Sequence, residues 1–74
     1  MSIVPILAAR EVLRRLFRAG FQITSHRGGH MKLWHPRTGR STGVPIHGGN
    51  TIGRDLLHKI LKQSGLSLKE FLKL

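Results

Sequence analysis

The sequence predicts an α+β fold in which three short antiparallel strands lie between helices. Apolar residues recur with helical spacing near both ends of the chain and alternate with polar residues in the middle. Glycine- and proline-bearing stretches interrupt the alternating part and indicate two hairpins. The economical arrangement is α-β-β-β-α with a short additional helix at the end, the helices covering one face of the sheet. We expect residues 1–74 to form a single domain, because a chain this short has no room for a second core.

The first helix is predicted over residues 10–19, REVLRRLFRA. One face of this helix carries the apolar side chains Val12, Leu13, Leu16 and Phe17. Arginines cover the other faces, at positions 10, 14, 15 and 18. They form either a solvated helix face or part of a surface for an anionic partner. Gly20 ends the helix, and Phe21 is the apolar residue that follows such a glycine cap.

A second helix is predicted over about residues 53–63. Its apolar stripe consists of Leu56, Leu57, Ile60 and Leu61. Gly65 closes this helix as Gly20 closes the first.

The third and shortest helix has the clearest local signal. It is predicted from Leu68 to about Lys73, directly after the glycine cap of the second helix. Ser67 and Glu70 have the spacing of a capping box, and Leu66 with Phe71 has that of a hydrophobic staple.

Three segments, FQITSH, HMKLWH and STGVPI, have the two-residue period of strands. The apolar side chains predicted to face the helices are Phe21, Ile23, Met31, Leu33, Val44 and Ile46. The opposite, open face then carries His30, Lys32 and Trp34, with Gln22 and Thr24 beside them. The stretches HRGG and HPRTGR connect the strands as hairpins, and the paired glycines let the backbone or a substrate approach His30.

The net charge is +10, from 13 Lys and Arg against three acidic residues. An excess this large in so short a chain indicates a polyanionic partner, either nucleic acid or an acidic protein, ahead of a membrane surface. Three scattered acids exclude a two-carboxylate hydrolase and a magnesium site built from several carboxylates.

Composition also limits the location and the chemistry. The chain has no cysteine, so it has neither disulfides nor thiolate ligands or nucleophiles, which fits a reducing cytoplasm. Its amino-terminal apolar stretch is short and lacks the basic region of a signal peptide. No run approaches the ~20 apolar residues of a membrane span. We therefore expect a cytoplasmic protein without a membrane association.

Four motifs in register resemble one known family. They are the Gly-Phe pair at positions 20–21, RGGHMKLWHP from Arg27 to Pro36, VPIHGGN from Val44 to Asn50, and ILKQSGL from Ile60 to Leu66. Together they resemble the HicA toxins, small bacterial mRNA interferases with a fold like a double-stranded-RNA-binding domain. Two positions depart from the family pattern. Gly29 replaces the usual serine before the catalytic histidine, and Ala8 stands where a serine or threonine often caps the first helix.

The resemblance implies that His30 is the catalytic residue of a metal-independent endoribonuclease. A histidine titrates near neutral pH and suits a general acid or base acting on the 2′-OH or the leaving oxygen. The residues expected to contact RNA are Arg27, Gly28, Gly29, Lys32, Trp34 and His47. No cofactor and no metal are expected. The expected partners are mRNA and a HicB antitoxin whose acidic surface covers the basic one.

Several interpretations remain open from the sequence. Trp34 either stacks on a base or is a half-buried sheet residue, and His47 is either a phosphate contact or a turn residue. His26 and His30 have no evident third metal ligand. His35 and His58 are expected to contribute only surface packing. The same charge also fits a non-catalytic module that binds RNA duplexes or, less well, a DNA-binding domain.

Overall fold

The computed structural model describes residues 4–74. Its elements are β1 (Leu7–Ala8), α1 (Ala9–Arg18), β2 (Gln22–Arg27), β3 (His30–Trp34), β4 (Ser41–Pro45), β5 (Thr51–Ile52), α2 (Arg54–Ser64) and α3 (Leu68–Leu72). Strands β2, β3 and β4 form an antiparallel sheet in that order, and β1 pairs with β5 separately. The predicted α+β fold, like a double-stranded-RNA-binding domain, is confirmed. The β1–β5 pair was not predicted, since two-residue strands leave no alternation to detect. The start of the amino-terminal apolar stretch, residues 1–3, lies outside the described part.

The apolar core lies between the three-stranded sheet and the helices. Helices α1 and α2 pack against β4, and α3 packs against α1. The largest fully buried side chains are Val12, Leu16, Leu33, Val44, Ile52, Leu57, Ile60 and Phe71. Each contributes about 1.5–3 kcal/mol relative to an exposed side chain. Because the helices cover one face, the other face of the sheet is left open, as predicted.

The β2–β3 connection is a two-residue turn at Gly28 and Gly29. Their φ angles are +54° and +79°, both in the left-handed region. A turn of this length with two positive φ angles matches the right-handed twist of the strands it joins, and glycine adopts it without a Cβ clash. The two glycines are therefore needed to bring Arg27 and His30 opposite each other at the end of the hairpin.

The register of β2 shifts by one residue at Thr24. Ile23 lies opposite Leu33, whereas Ser25 lies opposite Lys32, so Thr24 is the extra residue of a β-bulge. Its hydroxyl donates to the carbonyl of Lys32 at 3.4 Å. Gln22, opposite Trp34, and Thr24 both lie on the open face, as predicted. The bulge itself has no signal in the sequence.

The prediction of burial was wrong for two apolar residues. Phe17 is 41% exposed, because the buried stripe of α1 consists of Ala9, Val12, Leu13 and Leu16 and position 17 lies beyond its edge. Ile23 is 48% exposed, although it is on the same face as its cross-strand partner Leu33. Strand β2 is an edge strand that packs chiefly against β3, so the helices leave the side chains of β2 on this face largely exposed.

The helix ends mostly follow the predicted signals. Gly20 and Gly65 adopt positive φ after α1 and α2. Ala8 gives α1 no side-chain cap; instead the Ala9 backbone N–H donates to the Asn50 carbonyl at 3.0 Å.

The predicted capping box of α3 is present. The Ser67 hydroxyl accepts from the Glu70 backbone N–H at 3.0 Å, and the Glu70 carboxylate accepts from the Ser67 backbone N–H at 2.9 Å. These hydrogen bonds, chiefly the backbone one, hold the pKa of Glu70 below its usual value. Leu66, the expected staple residue, packs against the buried cluster that contains Phe71.

The expectation that His35 contributes only surface packing was wrong. Its side chain is 8% exposed and packs edge-on against the Phe21 ring, with centroids 5.1 Å apart. Nδ1 accepts from the backbone N–H groups of Arg37 and Thr38, at 3.1 and 3.3 Å. Nε2 therefore carries the proton and donates to the Ala19 carbonyl at 3.0 Å. His35 thus connects the β3–β4 hairpin to the end of α1.

Gly20 makes this connection sterically possible. Its φ is +106°, and a Cβ there would lie 2.7 Å from His35 Nε2. The glycine that ends α1 is therefore also the one that admits the buried imidazole.

Within residues 4–74, no helix is long and apolar enough to cross a membrane.

Candidate functional site

The open face of the sheet carries the polar residues of β3. His30, Lys32 and Trp34 are exposed, Trp34 by 39%, while Leu33 between them is fully buried. The predicted alternation of β3 is confirmed, and these three side chains share one face because strand side chains have a period of two. His30 lies at the start of the strand, beside the Gly28–Gly29 turn.

The register separates the two histidines of this hairpin. Arg27 lies opposite His30, and His26 lies opposite Met31. Directly paired residues share a face, so Arg27 accompanies His30 on the open face and His26 is on the other side. No cluster of metal-ligating side chains occurs among the described residues.

The hairpin turn contacts the loop that bears His47. The Gly29 carbonyl accepts from the Ile46 backbone N–H at 2.6 Å. A Cβ on Gly29 would lie 3.2 Å from His47 Cδ2 and 3.5 Å from the Ile46 carbonyl oxygen. Gly29 and His47, far apart in sequence, are thus brought together next to His30.

Asn50 fixes the backbone of this loop. Its Oδ1 accepts from the His47 backbone N–H at 3.0 Å, and its Nδ2 donates to the Pro45 carbonyl at 2.9 Å. The Asn50 backbone N–H also donates to the His47 carbonyl, at 3.2 Å. Asn50 belongs to the VPIHGGN motif, but no role was predicted for it from the sequence. Its position after two glycines was the available signal, because asparagine side chains commonly organise turns.

No acidic residue lies on this sheet. The sequence has none between Glu11 and Asp55, a stretch that contains β2, β3 and β4. Asp55 is in the first turn of α2. Glu11 binds Arg14 and Arg15 on α1, and the hydrogen bond from Arg14 holds the pKa of Glu11 below its usual value. The basic side chains of the open face therefore have no competing carboxylate on the same sheet.

Two grooves share Gly43 and Gln63 as lining residues, and one of them borders His30. One, of about 430 Å³, lies on the open face between Thr24, Lys32 and Trp34 and reaches Gln63 of α2. The other, of about 320 Å³, begins at His30 and is bordered by Lys59 and Gln63. Lys59 and Gln63 were not predicted from the sequence. Gln63 lies seven residues after the half-buried Leu56 and so shares its helix face, which was the available signal.

Comparison with known protein families agrees with this architecture. A family model described as HicA toxin of bacterial toxin-antitoxin matches residues 9–66, well over half of the chain. The chain belongs to the HicA toxin family. It is thus a toxin of the bacterial toxin–antitoxin class. The match in this HicA protein spans the sheet, α1 and α2 and ends before α3. No curated protein matches the chain.

Restoring the usual serine at position 29 is expected to destabilise this HicA protein. Gly29→Ser places a Cβ on a residue with φ +79° and against the His47 ring. The left-handed conformation costs about 1–2 kcal/mol for a residue with a side chain. Chemical denaturation should therefore show a lower midpoint.

Gly28→Ser is the matched control, because its φ is +54° but no atom lies within 4 Å of the added Cβ. Both variants should be destabilised, whereas only Gly29→Ser should shift the NMR resonances of the His47 ring. Wild-type stability and an unmoved His47 in Gly29→Ser would contradict the geometry of this turn.

Proposed function

We propose that this HicA-family toxin is an endoribonuclease that cleaves single-stranded mRNA through His30. The observation that carries the proposal is the position of His30, exposed beside Lys32 and opposite Arg27 on an acid-free sheet face. A flat basic surface with an exposed tryptophan suits a sugar–phosphate backbone with accessible bases. The substrate implies action in the cytoplasm, where messages are translated.

RNA itself carries the nucleophile for this reaction, the 2′-OH next to each phosphodiester. His30 either takes the 2′ proton or protonates the 5′ oxygen that leaves. The cations of Lys32 and Arg27 stabilise the charge that develops on the phosphate. The bond from phosphorus to the 5′ oxygen breaks as the bond to the 2′ oxygen forms. The products are a 2′,3′-cyclic phosphate and a 5′-OH, and no cofactor or metal takes part.

The remaining residues of the site hold the substrate. Trp34, which is 39% exposed, stacks on a base, because stacking on an aromatic side chain tolerates any base. His47 and the backbone of Gly28 and Gly29 contact a phosphate near His30. The Gly29–Ile46 hydrogen bond and the proximity of Gly29 to His47 support this assignment, because they join the two segments into one surface.

The antitoxin partner follows from the same charge. With a net charge of +10, the chain offers a basic surface that an acidic partner would complement. We propose a HicB-like antitoxin whose carboxylates occupy the positions of RNA phosphates and occlude His30. Such binding weakens as the salt concentration rises.

The activity is tested with the purified full chain and two labelled oligonucleotides of one sequence, one RNA and one DNA. We expect cleavage of the RNA alone, because DNA lacks the 2′-OH. A chelator should leave the rate unchanged. Cleavage of the DNA, or loss of cleavage on chelation, would contradict the mechanism. Tight binding of an RNA duplex without cleavage of any strand would instead favour the non-catalytic module.

A further inference from the structure

The groove that begins at His30 has a wall that the mechanism above does not use. Its floor is formed by Gly43 and Pro45 of β4, and its far wall by Leu56, Lys59 and Gln63 of α2. The volume of about 320 Å³ is at the lower end of the ~300–1,000 Å³ typical of small-molecule sites. The groove is therefore large enough for one nucleotide. Gly43 has no side chain that would narrow it.

Gln63 is held in a defined orientation at the junction of the two grooves. It borders both of them, the one at His30 and the one on the open face. The hydroxyl of Thr42, which is only 5% exposed, donates to Gln63 Oε1 at 2.8 Å. This bond uses the amide oxygen. The amide N–H donors have no hydrogen-bond partner among residues 4–74 and remain available to a ligand.

Lys59 supplies the charge in this groove. It lies one helical turn before Gln63 on α2 and borders the same groove as His30. A phosphate held between His30 and Lys59 would leave the attached nucleotide next to Gln63. A fixed amide beside a bound nucleotide is suited to hydrogen bonding with acceptor atoms on a base edge.

We propose that Gln63 contacts the base of the nucleotide adjoining the phosphate at His30 and contributes to the choice of RNA sequence. Lys59 holds the neighbouring phosphate without discriminating between bases. This inference rests on the proposed function in that it takes single-stranded RNA as the ligand, but it does not depend on cleavage.

The test measures the binding of labelled 2′-fluoro octamers of adenine, cytosine or uracil, which lack the attacking hydroxyl. For the wild-type full chain, the Kd values should differ between the three octamers. In Gln63→Met, which keeps the side-chain length but removes the donors, the ratio of weakest to tightest Kd should shrink about fivefold. In Lys59→Met, all three Kd values should rise by one factor, and the slope of log K against log salt should fall by about 0.7.

Lys62→Met is the matched control, because Lys62 is an exposed lysine of α2 that borders neither groove. It should preserve the Kd ratio and affect affinity less than Lys59→Met. Equal Kd values for the three wild-type octamers, or an unchanged ratio in Gln63→Met, would overturn the proposal. So would a Lys59→Met protein that binds like Lys62→Met. If the ratio collapses in Gln63→Met while wild-type protein cleaves no RNA, the base contact stands and the nuclease proposal fails.

Discussion

Purified His30→Ala protein is expected to cleave single-stranded RNA about 10²–10⁴-fold more slowly than the wild type, the contribution usual for one general acid or base. The loss should be this large because no carboxylate of the sheet is available to move the proton in its place. Binding of RNA should persist, since Lys32 and Arg27 keep their charges on the open face. Induction of His30→Ala in cells should accordingly permit growth, whereas induction of the wild type should arrest it.

The fold of the His30→Ala protein should be intact. His30 is exposed at the first residue of β3, and its side chain makes no hydrogen bond to the described part of the chain. A surface substitution of this kind changes the free energy of unfolding by about ±0.5 kcal/mol. A thermal melt within a few degrees of the wild type would show that lost cleavage is lost chemistry.

Arg15→Ala is expected to give the largest loss of stability among the arginine variants of α1. The Arg15 guanidinium donates to the carbonyls of Phe71, Leu72 and Leu74, at 3.1, 2.9 and 3.1 Å. It also lies 5.7 Å from the Phe71 ring centroid and bonds Glu11 at 2.8 Å. The carbonyls at the end of a helix have no partner within the helix, so Arg15 caps α3 and fixes it to α1.

Removing this cap should cost about 1.5–3 kcal/mol, the range for a hydrogen bond to a charged group. In a domain of this size, the loss lowers the melting temperature by about 4–8 °C per kcal/mol. Arg14→Ala is the control, because Arg14 shares the partner Glu11 but is exposed, and a surface ion pair of this kind should change stability far less. Arg15→Lys should recover only part of the loss, since an ammonium lacks the planar fork of a guanidinium. Equal melting temperatures for Arg14→Ala and Arg15→Ala would contradict this role.

Two sets of hydrogen bonds hold α3, the capping box and the contacts of Arg15, and only the first can be predicted from the sequence. The capping box joins Ser67 and Glu70, which are only three positions apart, so its chemistry can be identified from spacing alone. The cap supplied by Arg15 spans more than fifty residues and depends on how α3 packs against α1. An arginine on an otherwise basic helix face gives no sign of this contact, so its role stayed open from the sequence.

The residues of the candidate site likewise fall into those that the sequence pattern predicts and those that only the fold brings together. The alternation of β3 correctly predicted that His30, Lys32 and Trp34 share the open face. The same alternation, continued by one residue, places His35 on the buried side. The wrong prediction that His35 lies at the surface came from not extending the pattern. Gln63 is different. Its place beside His30 depends on how α2 crosses the edge of β4, which is a matter of tertiary packing.

The measurement that tests the central claim most directly is the cleavage rate of one RNA by wild type, His26→Ala and His30→Ala. The two histidines belong to one hairpin and are both exposed, but the register puts them on opposite faces. If the open face is the catalytic surface, His26→Ala should cleave within about twofold of the wild type, and His30→Ala should lose about 100-fold or more. Cleavage by His30→Ala at the wild-type rate, with both variants folded, would contradict the account.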